Sequence, residues 1–303
     1  MLEAIYADAG LPDGAYVNVY ASNEQAAIII ADPRVHGVSV TGSERAGAAV
    51  AEVAGRNLKK VALELGGKNP NVVFGDVDLD VAVDHALTGA FLHSGQVCST
   101  GARLLVDESI HDTFVERLVG RLDEIKLGDG FVANVKAGAL ISAEHRAKVE
   151  GYIDIAQREG ARLVTGGGRP SAPELADGFY VEPTVFADCT SDMRVVQEEV
   201  FGPVLTVERF RGEDQAVELA NNTVYGLAGA VWSGDAARGR RVAGRLRFGT
   251  VWINDFHPYI PQAEWGGVKQ SGMGRELGEL GLLEYTETKH VYENLRPGRS
   301  GWL

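Results

Sequence analysis

The stretch "VHGVSVTGSERAGAAVAEVAGRNLKKVALELGG", residues 35–67, decides the fold class. A short β-branched run ends at a glycine turn, Gly42-Ser43. Residues 44–55 have helical composition and stop at Gly55. Residues 59–67 form a second apolar run that closes on Gly66-Gly67. Strand, helix and strand in that order predict a parallel βαβ unit.

Outward from this unit the alternation continues. Upstream, "YVNVY" (16–20) predicts a strand and "NEQAAIIIA" (23–31) a helix. Downstream, Asp78 or Asp80 starts a helix that turns Val83, Leu87, Ala90 and Phe91 to one face. The spacing Asp76-x-Asp78-x-Asp80 resembles the opening of a calcium loop. Val81 stands where that loop needs glycine and Leu87 where it needs glutamate, so the aspartates are read as helix-start residues. Strands are expected within 102–109, 161–168, 178–188, 205–210 and 249–255. Helices are expected over 110–128, with Ile110, Phe114, Leu118, Leu122 and Ile125 as its buried stripe, and over 143–159, 213–223 and 235–246.

The 303 residues allow one large domain or two moderate ones. The net charge of −13, without a dense Lys/Arg run, argues against a nucleic-acid partner. No run reaches the roughly 20 apolar residues of a membrane span. Two distant cysteines make no disulfide framework, which suits a reducing compartment, and the first 14 residues lack a signal-type pattern. A cytoplasmic protein is expected.

Four places carry candidate chemistry. At Gly42-Ser43 a strand gives way to a helix, whose unpaired N–H groups suit an anion, although the same pattern makes a plain turn. Ala48-Ala49 after Gly47 exclude a Walker A loop. Glu64 would be costly to bury without a partner and would then gain a base-like pKa. By alternation alone it shares the outward face with Ala62, opposite Val61, Leu63 and Leu65. Cys98 in "SGQVCST" (94–100) is either an inert buried thiol or a nucleophile, and its small polar neighbours favour a tight loop where backbone N–H groups stabilise a thiolate. His93 lies five residues away, with no guarantee of contact. "EEVFGPV" (198–204) is a charged-to-rigid turn. No spacing suggests a metal site.

In order, "TGSERAG", "LELGGKNP", "GQVCST", "EEVFGPV", "NNTVYGLAGAVWS", "GTVWIN" and "WGGVKQSGMGRELGELGLLEYTETKHV" resemble the aldehyde dehydrogenase superfamily. The resemblance runs from about residue 5 to the C-terminus. It implies an α/β protein: part of a Rossmann-like cofactor domain (1–66), an α/β catalytic domain (67–270), and a return to the cofactor domain with an oligomerisation strand (271–303). It implies NAD or NADP as cofactor, an aldehyde as substrate, Cys98 as nucleophile and Glu64 as base. Gly42, Ser43, Gly47 and Leu65 would lie on the cofactor side, Glu199 would hold a ribose, and Phe201 would pack near the nicotinamide. "NDFHPYIPQAEWGG" (254–267) resembles the substrate segment of betaine- and amino-aldehyde dehydrogenases, with Trp265 facing a cationic group or simply packing the wall, and with Leu92 where relatives carry an aromatic; a semialdehyde or a general aliphatic aldehyde stays open as the substrate. Glu287 would pair with Arg275 and Lys60, and 286–295 would be the strand used in a homodimer or homotetramer, given the N-terminal part that relatives carry. Cys189 reads as structural.

Relatives of this kind extend further at the N-terminus, where they carry an oxyanion-hole asparagine and an adenosine-gripping lysine strand. The expectation is therefore an N-terminally truncated member. A non-catalytic subunit or scaffold is the first alternative function, and a cofactor-independent thiol esterase or acyltransferase the second.

Overall fold

A computed structural model describes residues 1–302. The chain begins with α1 (Leu2–Asp8), α2 (Asn23–Ala31), β1 (Gly37–Thr41), α3 (Glu44–Arg56) and β2 (Lys60–Glu64). It continues through β3 (Pro70–Val73), α4 (Leu79–Phe91), β4 (Arg103–Asp107), α5 (His111–Gly120), α6 (Ala143–Arg158), β5 (Arg162–Thr165) and β6 (Thr184–Ala187). Then follow α7 (Arg194–Gln197), β7 (Val204–Phe210), α8 (Gly212–Asn221), β8 (Ala228–Trp232), α9 (Ala236–Ala243), β9 (Thr250–Ile253), β10 (Gly272–Met273) and α10 (Gly278–Leu283).

The helix starts have local causes. Ser22 and Gln25 form a capping box on α2, Ser43 Oγ accepts from Ala46 N on α3, and Asp78 accepts from Asp80 N and Val81 N on α4. The predicted helix from 110 breaks at Gly120, and a 3₁₀ turn (Leu122–Glu124) keeps Leu122 buried in line with Phe114 and Leu118.

Two sheets result. The smaller has the order β1-β2-β10, with β1 parallel to β2 and β10 antiparallel. The larger has the order β5-β6-β7-β4-β3-β8-β9, parallel except for β5 against β6. Leu104 and Val106 of β4 face α4 and α5, where Val83, Phe91, Phe114 and Leu118 complete one core. Leu105 faces the other way, with Val72 and Phe210, onto Ala216 of α8 and Val242 of α9. A third cluster sets Val149 and Ile153 of α6 on Phe186 and Val204. A largely parallel sheet covered on both faces is the α/β architecture that the alternation predicts.

Residues 16–20 do not form the expected strand. They are exposed, Tyr20 by 93 %, and no neighbouring strand offers hydrogen bonds, without which an extended run has no stability of its own. The run 178–188 pairs only over β6, and 249–255 only over β9. Residues 286–295 are likewise exposed and form no strand. No helix among the described residues is long and apolar enough to cross a membrane.

Candidate active site

The site lies where the end of β2 approaches the start of β3, and the Gly66-Gly67 pair organises it. A Cβ on Gly66 would fall 2.6 Å from Glu199 Oε2, and one on Gly67 would fall 2.7 Å from the Cys98 carbonyl oxygen. Gly67 N donates to Glu199 Oε1 at 3.0 Å. The two glycines therefore let Glu199 and the Cys98 loop close on the same short piece of backbone.

Cys98 sits in the loop that leaves α4. His93 and Ser94 take left-handed φ angles of 52° and 57°, which turn the chain sharply after Phe91. Asn69, fully buried, donates from Nδ2 to the carbonyls of Cys98 and Thr100, both at 2.9 Å, and accepts from Ala228 N at 3.0 Å. Ser99 Oγ is shared by His257 Nδ1 at 3.2 Å and the Tyr259 hydroxyl. The loop is thus fixed from β8 on one side and from the 257–259 segment on the other. Burial pushes the Cys98 thiol up, and the charges of Glu199 and Glu64 push it further. His93 is exposed and makes no side-chain hydrogen bond to Cys98 among the described residues.

Glu64 does not face solvent as alternation suggested. It is 5 % exposed, because the distant segment 265–276 covers that face of β2. A Cβ on Gly266 would lie 2.8 Å from Glu64 Oε1, and Oε2 is buried without a hydrogen-bond partner among the described residues. Burial, then the Glu276 charge, raises its pKa to about 7 against the pull of Arg275. Such a group takes and returns protons near neutral pH.

On the other side of the glycine pair, Gly42 and Ser43 are exposed at the start of the 13-residue α3. Gly42 N donates to Glu64 O at 3.0 Å, which ties this turn to the end of β2. Gly47 lies inside α3 and is needed for packing, since its Cβ would fall 2.6 Å from Leu65 Cδ2. Burial raises Glu199 to about 7, and Glu44 adds to the rise. Phe201 has φ 59°, and its carbonyl accepts from His145 Nε2 at 2.6 Å. An open helix N-terminus, a carboxylate seated on a glycine turn and a nearby aromatic fit the phosphates, ribose and ring of a dinucleotide.

Leu92 and Trp265 line different cavities, and one of the two expected Glu287 pairs is not made. Leu92 lines a cavity of about 340 Å³ with Phe91, Ile125 and Arg121, whereas Trp265 lines another of about 250 Å³ with Trp252, Tyr259 and Glu264. Leu92 thus lies beside residues that follow α5. Arg275 does not pair with Glu287, because its Nη1 donates to the carbonyls of Gly267 and Gly274. Lys60 does meet Glu287, at 3.4 Å. Cys189 is buried, and its thiol is pushed up to about 12. Sequence reasoning missed Asn69, Ser99, His257 and Ser271. Ser271, fully buried, donates to Gly66 O at 2.7 Å and accepts from Gly226 N at 2.9 Å. Polar residues inside otherwise apolar or glycine-rich motifs were the available signal.

Comparison with known proteins gives the same frame. The model of the aldehyde dehydrogenase family matches residues 1–291. The chain is 62 % identical over 266 residues to a betaine aldehyde dehydrogenase of Bacillus subtilis, covering 88 % of this chain and 54 % of that protein. It is 47 % identical to an NADP(+) succinate-semialdehyde dehydrogenase of Deinococcus radiodurans, covering 96 % and 60 %. A crystal structure of betaine aldehyde dehydrogenase from Staphylococcus aureus in complex with NAD+ superposes with a TM-score of 0.96 at 48 % identity, over all of this chain and 60 % of that one. Other structures of that enzyme carry substitutions in a His-Pro-Tyr triplet, and His257-Pro258-Tyr259 stand at the same spacing from Cys98 as that triplet does from that enzyme's modified cysteine. This chain spans little more than half the length of these relatives. Its matched length, its superposition and its ordered motifs place it together with them: the chain belongs to the aldehyde dehydrogenase family.

Proposed function

We propose that this chain carries the chemistry of an NAD(P)+-dependent aldehyde dehydrogenase, with Cys98 as nucleophile and Glu64 as general base. The observation that supports it most is the convergence of Cys98, Glu199 and Glu64 on the Gly66-Gly67 turn. In this reading the Cys98 thiol gives its proton up to solvent, its sulfur bonds to the aldehyde carbon, and the carbonyl oxygen takes the negative charge. A bound dinucleotide supplies the hydride acceptor. Loss of hydride from that carbon leaves the acyl group on sulfur as a thioester. Glu64 then takes a proton from water, whose oxygen attacks the thioester, and carboxylic acid and free thiol result. Residues 1–66 and 271–303 form the cofactor side and 67–270 the catalytic side, a division supported by the pairing of β10 with β2.

The substrate class we propose is an aldehyde with a cationic head, as in betaine aldehyde. Trp252 and Trp265 stack at 6.2 Å and Tyr259 meets Trp265 edge-on at 4.7 Å, with Glu264 on the same cavity. Aromatic faces beside a carboxylate attract an ammonium group by about 0.5–2 kcal/mol. The protein would act in the cytoplasm as a homo-oligomer joined through 286–295.

The test is aldehyde-dependent NADH formation by the chain beside Cys98→Ser and Glu64→Gln. Cys98→Ser should remove it, and Glu64→Gln should lower turnover by about 10²–10⁴-fold. Indistinguishable traces with and without the thiol would overturn the reading and leave a scaffold. Trp265→Ala should weaken betaine aldehyde more than an uncharged isostere, and equal losses would remove the cationic preference.

A further inference from the structure

A serine of the return segment holds the Gly66-Gly67 turn. Ser271 ends the short 3₁₀ turn (Lys269–Ser271) before β10 and is fully buried. Gly226 N donates to its Oγ at 2.9 Å, and Oγ donates to Gly66 O at 2.7 Å. The partners settle the direction: an amide N–H only donates and a carbonyl only accepts, so the hydroxyl proton lies on the Gly66 side. The backbone of Ser271 is fixed as well. Its carbonyl accepts from Leu65 N at 2.9 Å, and its N–H donates to Val268 O at 3.1 Å. Val268 N in turn donates to Gly226 O at 3.0 Å.

The carbonyl of Gly66 and the N–H of Gly67 belong to one planar peptide. That N–H donates to Glu199 Oε1 at 3.0 Å. Ser271 and Glu199 therefore grip opposite ends of the same plane. Among the described residues neither end has another hydrogen-bond partner. Glycine stands on both sides of this peptide, so no Cβ restrains its rotation. Half a turn would aim a carbonyl oxygen at the Glu199 carboxylate, two acceptors with no proton between them. As it stands, donors run from Gly226 through Ser271 and the peptide to a carboxylate, each polarising the next.

We propose that Ser271 is a positioning residue: by donating to Gly66 O it keeps the Gly66-Gly67 peptide turned with its N–H on Glu199, and so sets how that carboxylate grips the dinucleotide. The dinucleotide clause rests on the function proposed above, whereas the orientation of the peptide does not.

The experiment follows the Gly67 amide proton by NMR in glycine-labelled chain from about pH 5 to 9, without ligand. Glu199, raised by burial to about 7, titrates inside this range. Glu64, three residues before Gly67, does so too. The part of the Gly67 shift that disappears in Glu199→Gln is therefore the part that belongs to Glu199. Ser271→Ala should lose that part, and a step like the parent's would overturn the proposal. Titration with NAD+ or NADP+, whichever the parent binds, tests the dinucleotide clause. Ser271→Ala should weaken binding about tenfold, the effect of one hydrogen bond on a charged group. In the Glu199→Gln background it should change binding by no more than about twofold. Equal losses in both backgrounds would mark a merely structural serine and overturn the positioning role. If Ser271→Ala does not fold, Ser271→Cys keeps a weaker donor at the same place. It should weaken binding about threefold and lose part of the titration step, and values like the parent's in both would overturn the proposal. A parent that binds neither dinucleotide, with the step still lost in Ser271→Ala, would count against the dehydrogenase reading and for the hold of Ser271 on the peptide.

Discussion

Glu64 keeps its carboxyl under Gly266, with Arg275 and Glu276 as its charged neighbours. Its pKa stands at about 7 in the folded chain, against an ordinary carboxyl value of 4.5. Between those values the native state holds the proton and the unfolded chain has lost it. The contribution to stability is therefore full below about pH 4.5 and is lost as pH rises through about 7. Glu64→Gln removes this dependence, so the variant should gain on the parent by roughly 3 kcal/mol between pH 4.5 and pH 8. Urea unfolding at three pH values checks it, and a pH-independent difference between the two proteins would exclude it. This carboxyl was misread in the sequence because alternation reports only the two faces of a strand, whereas what covers each face comes from residues two hundred positions away. The Cys98 loop was easier, since its small polar residues already exclude a packed core. Asn69, which holds that loop, has no pattern of its own in "LELGGKNP" to single it out.

At the scale of elements, glycines divide into those that keep two segments in contact and those that do not. Gly67→Ala drives a Cβ to 2.7 Å from the Cys98 carbonyl, a backbone atom that cannot swing aside. It should cost about 1–3 kcal/mol and disturb Cys98 alkylation. Gly55→Ala meets nothing within 4 Å inside α3 and should instead stabilise by about 0.5–1 kcal/mol. Thermal unfolding of the pair decides, and equal effects would refute the distinction. β1, α3 and β2 were legible because glycines punctuate them. β3 and β8 were not, since central parallel strands are buried on both faces and show no alternation. The run 16–20 failed for the converse reason: it alternates, but no neighbouring strand completes it.

For the molecule as a whole, the smaller sheet is the exposed part. β1 pairs only with β2, and Val19, Tyr20, Ile28 and Ile29 stand in solvent nearby in sequence. An unpaired edge beside apolar surface invites pairing with another chain. Despite the charge of −13, the protein should self-associate at micromolar concentration, and Tyr20→Lys with Ile28→Lys should reduce this. Sedimentation velocity checks it, and a concentration-independent monomer would refute it. In the turns beside the larger sheet, after α4 and before β7, Gly95 meets Gly202, where a single added carbon would sit 2.1 Å from an oxygen. Backbones that touch so directly cannot slide past one another. The sulfur-bearing loop and the turn that begins at Glu198 are geared: a ligand gripping either one must shift both, and amide exchange in the two should slow together when only one is engaged.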